Sequence, residues 1–495
     1  MNSTVNHAGA GEHAKPGQLP DWGKADLPEP LPYSFRNVMR TIGPGAILLA
    51  ASIGGGEWLI GPAITVKFGL SILWIATLSI FLQLIFNLEV IRYTLYTGEP
   101  IVTGIMRLKP GSKFWGGLYS LLTIAQLGAP ALATGSAAAI FALWVGKVPE
   151  AANQSTLHWI ATAIILGTVA LLSFGGTIER MLERASWAMI AYIFIFLFVV
   201  NIFMIPVEHS VKTLSGFFHF GYIPDKIDLL LLGTFAATAG SGGIGNLTIS
   251  NWIRDKGFGM GGTVGTIPSA FGGEHVQLSH IGNVFPINDK NLRRWKTWWK
   301  YVVADQIWLW ALGCFVGMYL NVNLATAIIE PGTHMEGMGA GAYQARYLAD
   351  HYWSGFWILG LLNGFWILFS THLGNSDILV RTITDTLWVS SKRIRNWKGG
   401  RIQTVYYTLL VICTIWAVIV VRWGSAMELF KVLGFIAGLI LALAAAQVYF
   451  VNTRLLPPEL RPNVWQRIGL LTCSLFYLIF TAAVAFDFIK KLVAD

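Results

Sequence analysis

The chain has 495 residues, of which 54% are hydrophobic and only 12% are charged, and it contains 21 tryptophans. Because soluble domains carry about 25% charged residues, this composition excludes a soluble globular protein and predicts a polytopic membrane protein. The formal net charge of +9 would suggest nucleic-acid binding in a soluble protein, but in a membrane protein basic cytoplasmic loops explain it first.

The first 38 residues precede any long apolar stretch and are rich in Gly, Pro, His and charged residues. They lack the charged start and continuous apolar core of a signal peptide. We therefore predict a disordered cytoplasmic tail at residues 1–38, followed by a membrane domain at residues 39–495.

Hydropathy predicts eleven membrane spans in the rest of the chain. Their approximate bounds are residues 42–68, 70–97, 115–145, 157–175, 185–207, 228–256, 300–321, 353–375, 403–422, 427–452 and 466–489. With the N-terminus inside, the cytoplasmic segments hold 26 of the 35 Lys and Arg residues. This asymmetry predicts a cytoplasmic N-terminus, an outside C-terminus and location in the plasma membrane, which in a bacterium is the inner membrane.

The first span is unusual because its middle holds Gly54, Gly55, Gly56 and Glu57. Glycine costs about 1 kcal/mol per residue in a helix relative to alanine, so three in a row favour an interruption. The backbone groups that an interruption frees are tolerated at membrane depth only where they face protein, a cavity or a ligand. An acidic residue at such a place indicates a functional site. We therefore predict a discontinuous helix that forms half of a solute-binding site.

The sixth span repeats this pattern, with four glycines inside six residues. The segment is Gly240, Ser241, Gly242, Gly243, Ile244, Gly245 and Asn246. Gly-interrupted spans at matching places in two halves of a chain are typical of the binding site of a secondary transporter. This predicts an all-α membrane protein with two inverted five-span repeats, at about residues 42–207 and 228–452, and an extra helix at about 466–489.

From about residue 40 to 490 the chain resembles the Nramp family of proton-coupled divalent-metal transporters. The resemblance depends on Gly43-Pro44-Gly45 at the start of the first span, on the segment Arg-Tyr-Thr-Leu-Tyr-Thr-Gly-Glu at 92–99, and on Gly245-Asn246-Leu247. It implies a LeuT-like fold in which eleven spans form a 5+5 inverted repeat plus one, with spans 1 and 6 broken. It also implies alternating access around a midplane site, in a transporter domain covering residues 39–495.

The residues at the family's metal-binding positions differ in this chain. The family signature Asp-Pro-Gly-Asn, whose Asp and Asn help to ligate metal, corresponds to 54–57, and its Met-Pro-His-Asn corresponds to 243–246. Carboxylate, carbonyl and water ligands suit Mg, Ca and Mn, whereas soft ligands favour later transition metals. Together these features predict secondary active transport of a hard divalent cation such as Mg²⁺ or Mn²⁺, with Glu57 as the candidate metal ligand.

The same residues leave two other functions open. Open glycine backbone binds a substrate carboxylate in LeuT-like sites, so an amino-acid-like or other small organic solute is the main alternative. A non-transporting sensor on the same fold is the second, because the family's ligands are missing. We expect no enzyme and no cofactor, since no nucleophile–base pair or metal triad is apparent. Expected partners are membrane lipid and the transported solute or cation, with H⁺ or Na⁺ as candidate coupling ions; the oligomeric state stays open, and no nucleic acid is expected.

Further ionisable residues inside the spans are candidates for coupling or gating. Glu89 and Arg92 are three residues apart on one face of the second span, so they can form an ion pair or take part in a relay. Asp305 lies in the seventh span near a basic cluster. It is either a coupling acid or an interfacial partner of Lys300.

The eighth span supplies the other candidates. Asp377 and Arg381 are four residues apart and can close a cytoplasmic gate at the end of this span. His372 and Asn375 precede them and can take part in cation coordination or proton transfer. Gln126 in the third span is either an interhelical hydrogen-bonding residue or part of the site.

Overall fold

The computed structural model describes residues 18–225, 227–273, 278–333, 339–422 and 426–494. Within these residues, ten helical stretches are long and apolar enough to cross a membrane. The sixth predicted span is the remaining one, and it is divided into two shorter helices. The described part of the chain therefore contains all eleven predicted spans.

The helices follow one another in the predicted order. The first five spans are Pro44–Ser52 with Gly61–Phe68, Leu70–Thr97, Ser112–Leu127 with Ala131–Val145, Gln154–Ser173, and Ile178–Met204. The last six are Leu229–Thr238 with Ile244–Asp255, Asp289–Ile328, Phe356–Ser390, Ile402–Val420, Ala426–Arg454 and Val464–Ala494. Connecting helices are Phe35–Thr41, Ile101–Met106, Val207–Gly216, Gly339–His351 and Lys392–Arg395. Two short strands, Gly23–Lys24 and Asn283–Val284, pair in parallel.

The largest departures from the predicted spans are in the seventh, the eighth and the third. The seventh span, predicted at 300–321, is the helical stretch Asp289–Ile328, and the eighth, predicted to end at 375, continues to Ser390. The third, predicted as continuous, is interrupted at residues 128–130 between two helices. A span predicted from hydropathy ends where polar residues begin. Many of the polar residues beyond the predicted ends, however, are buried against neighbouring spans.

The first span is at the centre of the bundle. All of its apolar window is buried, compared with 22% for the fourth and ninth spans at the periphery. A helix that is buried on every side is surrounded by protein, so the interruption in this span faces other helices.

Residues 18–33, which we call the strap, lie across one end of the bundle. Gly23–Lys24 pairs with Asn283–Val284, and Leu27 is fully buried. Side chains of Arg294 and Trp298 donate to the Leu27 and Pro28 carbonyls over 2.8 and 2.9 Å. The prediction of disorder is therefore wrong for residues 18–38, and residues 1–17 lie outside the described part of the chain.

Glu99 binds residues that in turn contact the strap. It accepts hydrogen bonds from Arg107 Nε over 2.9 Å, from the Gly282 amide over 3.0 Å and from the Tyr93 hydroxyl over 2.5 Å. Arg107 also lies over the Trp22 ring of the strap, 4.7 Å from its centroid. Burial alone would raise the pKa of Glu99, but the Arg107 guanidinium and the Tyr93 hydroxyl hold it below its ordinary value.

Candidate functional site

The first span is interrupted at the predicted glycines. The helix Pro44–Ser52 ends, and a π-helical turn, Gly56–Ile60, begins the second half of the span. The Gly54 amide donates to Thr371 Oγ1 over 2.8 Å, and the Ala50 carbonyl accepts a 3.0 Å hydrogen bond from the Ser370 hydroxyl. Hydroxyls of the eighth span thus replace the backbone hydrogen bonds that the interruption removes, as membrane depth requires.

The sixth span opens at residues 239–243, and glycine geometry explains where. Gly240, Gly242 and Gly243 have φ of 106°, 67° and 69°, in the left-handed region that favours glycine. Gly245 and Asn246, which were predicted to belong to the site, lie just beyond the opening, in the first turn of the helix Ile244–Asp255.

Two buried glutamines hold the opened segment. Gln83 Oε1 accepts from the amides of Ser241 and Gly242 over 2.9 and 3.2 Å, and from Asn246 Nδ2 over 3.1 Å. Gln126 accepts from the Ile244 amide and donates to the Gly242 carbonyl, both over 3.0 Å. The amides of Ser241, Gly242 and Ile244 therefore have side-chain partners inside the protein. Gln126 forms interhelical hydrogen bonds to the opened segment, and its place in the binding site stays a prediction. Sequence reasoning did not identify Gln83.

The two interruptions are in direct contact. Ser52 Oγ lies 2.8 Å from Ser241 Oγ, to which Trp310 Nε1 donates over 2.7 Å. A Cβ atom at Gly56 would lie 1.9 Å from the Thr238 carbonyl oxygen. Only glycine permits this approach, which explains the third glycine of the run.

Glu57 lies at this contact and is fully buried. Its Oε1 accepts from the Gly240 amide over 3.2 Å, whereas its Oε2 has no hydrogen-bond partner among the described residues. The Cys314 side chain adjoins the carboxylate. Within the described ranges, no Arg, Lys or His forms an ion pair with Glu57. One carboxylate oxygen of Glu57 thus lacks a hydrogen-bond partner, and Asn246 Oδ1 is a second such acceptor among the described residues.

The Glu89–Arg92 pair forms as its spacing predicts. Arg92 Nε and Nη2 donate to the two carboxylate oxygens over 2.8 and 3.0 Å, and Asn452 donates to Glu89 Oε2 over 3.0 Å. The Trp299 ring covers the guanidinium at 4.2 Å. These contacts fix the pair between helices, and a role for it in coupling stays a prediction.

Asp305 caps the start of the first span. Its two carboxylate oxygens accept from the amides of Gly43 and Gly45 over 2.9 and 2.8 Å, which is the favourable place for an anion at a helix N-terminus. The alternative of an ion pair with Lys300 is wrong, because Lys300 instead lies over the Tyr33 ring.

Asp377 and Arg381 belong to a buried ionic network in the middle of the extended eighth span. Arg381 Nε donates to Asp377 Oδ2 over 2.8 Å, and its Nη1 contacts Asp255 of the sixth span. Tyr406 and Trp252 donate to Asp377 over 2.7 and 2.8 Å. The i,i+4 pair was predicted correctly, but its position at the end of the span was wrong.

The same network extends to Arg254 and Asp385, which are 3.1 Å apart. Sequence reasoning missed both residues as well as Asp255. The spacing of Asp377, Arg381 and Asp385 along one helical face was the available signal for a charged stripe.

His372 and Asn375 do not reach the two interruptions. They line a cavity between the eighth span and the third, fourth, ninth and tenth spans. No group of three or more His, Cys, Asp or Glu residues that could hold a metal ion occurs among the residues that the structure describes. Glu57 therefore lacks the acidic partners of a preformed all-protein metal cage.

Comparisons with known proteins identify the fold. No protein-family model matches the chain, and no curated protein matches it in sequence. A histidine-to-alanine mutant of the Eremococcus coleocola manganese transporter is similar in structure, with 14% identity, a TM-score of 0.62, and coverage of 96% of this chain and 98% of that one. A glutamate-to-alanine mutant of the same transporter has 14% identity, a TM-score of 0.61 and the same coverage.

A nucleobase-cation-symport-1 family transporter in a closed conformation is also found, with 13% identity, a TM-score of 0.46, and coverage of 90% of this chain and 93% of that one. The chain has a LeuT-like all-α membrane fold; the residues that the structure describes contain eleven spans arranged as a 5+5 inverted repeat plus one, with spans 1 and 6 broken. At this level of identity, the likeness to the manganese transporter shows the fold alone.

Proposed function

We propose that this protein is a Nramp-like secondary active transporter that moves a hard divalent cation, Mg²⁺ or Mn²⁺, by alternating access. The observation that carries the proposal is the unpaired Oε2 of Glu57, buried where the two interrupted spans meet. An unpaired charge in such a place is costly, and a cation bound there would offset the cost. The likeness in fold to a manganese transporter supports this choice.

The distribution of donors and acceptors favours a cation over an anion. The amides of Gly240, Ser241 and Gly242 are already occupied by oxygens of Glu57 and Gln83. A substrate carboxylate would have to displace these oxygens to reach the amides. The unpaired Glu57 and Asn246 oxygens, by contrast, are acceptors without donors.

The ligand types favour a hard ion that keeps part of its water shell. Mg²⁺ is usually bound through one or two carboxylates and retains several waters, which suits a site with a single acidic residue. Cys314 is a soft donor that adjoins Glu57. Since soft metals are selected by several soft ligands, we expect Cys314 to contribute packing rather than coordination.

We propose Na⁺ as the first coupling ion to test. In transporters with broken helices, carbonyl ends of half-helices bind the coupling cation. The Ala50 carbonyl at the end of the first half-helix lies 3.0 Å from both the Ser370 and the Thr371 hydroxyl oxygens. These three oxygens provide a starting site for Na⁺, and H⁺ is the alternative.

An organic solute with an ammonium group is the second candidate. It is favoured by the absence of further acids beside Glu57 in the described residues and by nearby aromatic rings. Phe430 packs against Gly55, and the Trp310 indole reaches Ser241. Aromatic faces attract ammonium groups, and Glu57 would supply the counter-charge.

Uptake into proteoliposomes tests both candidates. Mg²⁺, Mn²⁺, Zn²⁺ and a panel of amino acids and amines are offered, each with and without imposed Na⁺ and pH gradients. The cation proposal predicts uptake of Mg²⁺ or Mn²⁺ that Glu57→Gln abolishes and Cys314→Ser retains. Glu150→Gln, at an exposed acid outside the site, is the matched control. Cation uptake that survives Glu57→Gln, or uptake of organic solutes alone, would refute the cation proposal.

Orientation is a separate proposal. We place the N-terminus in the cytoplasm and the C-terminus outside, in the bacterial inner membrane, because of the asymmetry of basic residues. Single cysteines introduced at exposed Lys392 and Lys147, in a variant without the native cysteines, should react with an impermeant reagent from opposite sides.

A further inference from the structure

A cavity lies between the third, fourth, eighth, ninth and tenth spans, and its lining does not include the residues of the two interruptions. Its internal volume is about 50 Å³. The third span opens it, because the chain leaves the helix after Leu127 and resumes at Ala131, and this turn lines the cavity. A Gly-Ala-Pro sequence at 128–130 explains the interruption, since proline lacks an amide hydrogen and clashes with the preceding turn.

One wall of this cavity carries buried hydrogen-bonding groups. His372 is only 6% exposed, and its Nε2 has no hydrogen-bond partner in the described structure. Asn375 and Ser376 follow at i+3 and i+4, on the same helical face, and also line the cavity. Thr168 and Thr414 face them from the fourth and ninth spans. A polar group buried without a partner costs about 1–3 kcal/mol, so this wall favours an occupant that forms hydrogen bonds.

The rest of the lining restricts the occupant to an uncharged molecule. Apart from His372, no acidic or basic side chain of the described residues lines the cavity, and most of the lining is apolar. An ion would lose its hydration there without gaining a counter-charge. About 10–15 Å³ of such space holds one water, so the cavity accepts about four waters or a molecule of similar size.

The cavity adjoins the third and eighth spans, whose side chains form hydrogen bonds to the two interrupted segments. His372 follows Thr371, which accepts the Gly54 amide, and Leu127 follows Gln126, which bridges Gly242 and Ile244. An occupant in contact with His372 and Leu127 therefore connects these two helices. Any movement that separates them would have to break its contacts.

We propose that this cavity is a regulatory site for a small uncharged molecule with a hydrogen-bond donor and an acceptor, such as a short amide or an azole. Occupancy holds the third and eighth spans together and slows transport. The effect on transport rests on the proposed function, whereas binding does not.

Binding can be measured through a native thiol. Cys413 lines the cavity and is partly exposed, whereas Cys314 and Cys473 are fully buried. Methyl methanethiosulfonate is small and neutral, and mass spectrometry gives its rate of reaction at each cysteine. Pyrazole, a neutral azole with one donor and one acceptor, should slow the reaction at Cys413 saturably.

Variants of His372 separate a specific site from a general effect. His372→Leu should weaken the protection of Cys413 by pyrazole about fivefold, as expected for one lost neutral hydrogen bond, and His372→Gln should retain it. His158→Leu, at a histidine outside the cavity lining, is the matched control. Protection that never saturates, or that is equal in His372→Leu, would overturn the binding site.

The regulatory effect has its own readout. At the pyrazole concentrations that protect Cys413, cation uptake by the wild-type protein should slow, and uptake by His372→Leu should respond only at about fivefold higher concentrations. Protection of Cys413 with unchanged uptake would overturn regulation. A protein that transports no cation would instead refute the proposed function and leave the binding measurement valid.

Discussion

Replacing Gly56 with alanine should separate the two interrupted spans. The added Cβ would lie 1.9 Å from the Thr238 carbonyl oxygen and 2.9 Å from the Ala239 amide nitrogen. Both are backbone atoms, so no change of rotamer can relieve the overlap. Overpacking in a well-packed core costs about 1–3 kcal/mol. A clash with backbone should cost an amount at the upper end of this range, about 3 kcal/mol.

Two other glycines provide matched controls. A Cβ at Gly245, in the sixth span near the same site, would meet its nearest atoms at 3.6 to 3.8 Å, and one at Gly117 would meet nothing within 4 Å. Gly117→Ala should also gain helix propensity of about 1 kcal/mol. The structure therefore predicts that neither control lowers stability.

The assay is thermal unfolding of the detergent-solubilised protein together with uptake into proteoliposomes. Gly56→Ala should lower the unfolding midpoint and abolish uptake, whereas Gly245→Ala and Gly117→Ala should preserve both. If Gly56→Ala unfolds and transports like the wild-type protein, the two interruptions do not meet as described. Equal damage from all three variants would show that the local contacts are not the cause.

Three further predictions concern groups that hold the helices around the site. Arg381→Met leaves Asp377 without its cation and leaves Asp255 with Arg254 alone. It should cost about 3–5 kcal/mol, measured as a lower unfolding midpoint. Arg346→Met, at an exposed pair, should cost at most about 1 kcal/mol, and equal effects would contradict the network. Gln83→Met leaves the amides of Ser241 and Gly242 unpaired at about 1–3 kcal/mol each, so uptake and stability should both fall, and normal uptake would remove Gln83 from the site. The pKa of Glu99 is lowered in the folded protein, so its contribution to strap docking is fully present above the ordinary carboxyl pKa and is lost as pH falls through the lowered pKa. Proteolysis of the strap should therefore rise in that acid range. Glu99→Gln should remove this pH dependence.

The parts of the structure that follow from local sequence were predictable. Runs of glycine mark both interruptions, since the cost of glycine in a helix does not depend on distant residues. The Glu89–Arg92 pair follows from its i,i+3 spacing. The Gly-Ala-Pro turn in the third span had an equally local signal that the hydropathy window concealed.

The partners of these elements could not be predicted, because they come from distant parts of the chain. Thr371 is 317 residues from the Gly54 amide that it accepts, and Gln83 is 158 residues from the Ser241 amide. A polar side chain inside an apolar helix does not reveal which helix it faces. The strap was missed for a related reason: its polar, proline-rich composition is typical of disorder, whereas Arg294 and Trp298 hold its carbonyls.

The strap also limits how the first half-helix can travel. Only the short helix Phe35–Thr41 separates the strap from Pro44–Ser52, and the strap is bound to Arg294 and Trp298 at the start of the seventh span. If Pro44–Ser52 tilts during a transport cycle, the strap must either detach from the seventh span or move together with that span as one rigid unit. The distance between spin labels at exposed Arg36 and Lys296 would distinguish these two movements. Joint movement keeps the distance constant, whereas detachment of the strap lengthens it.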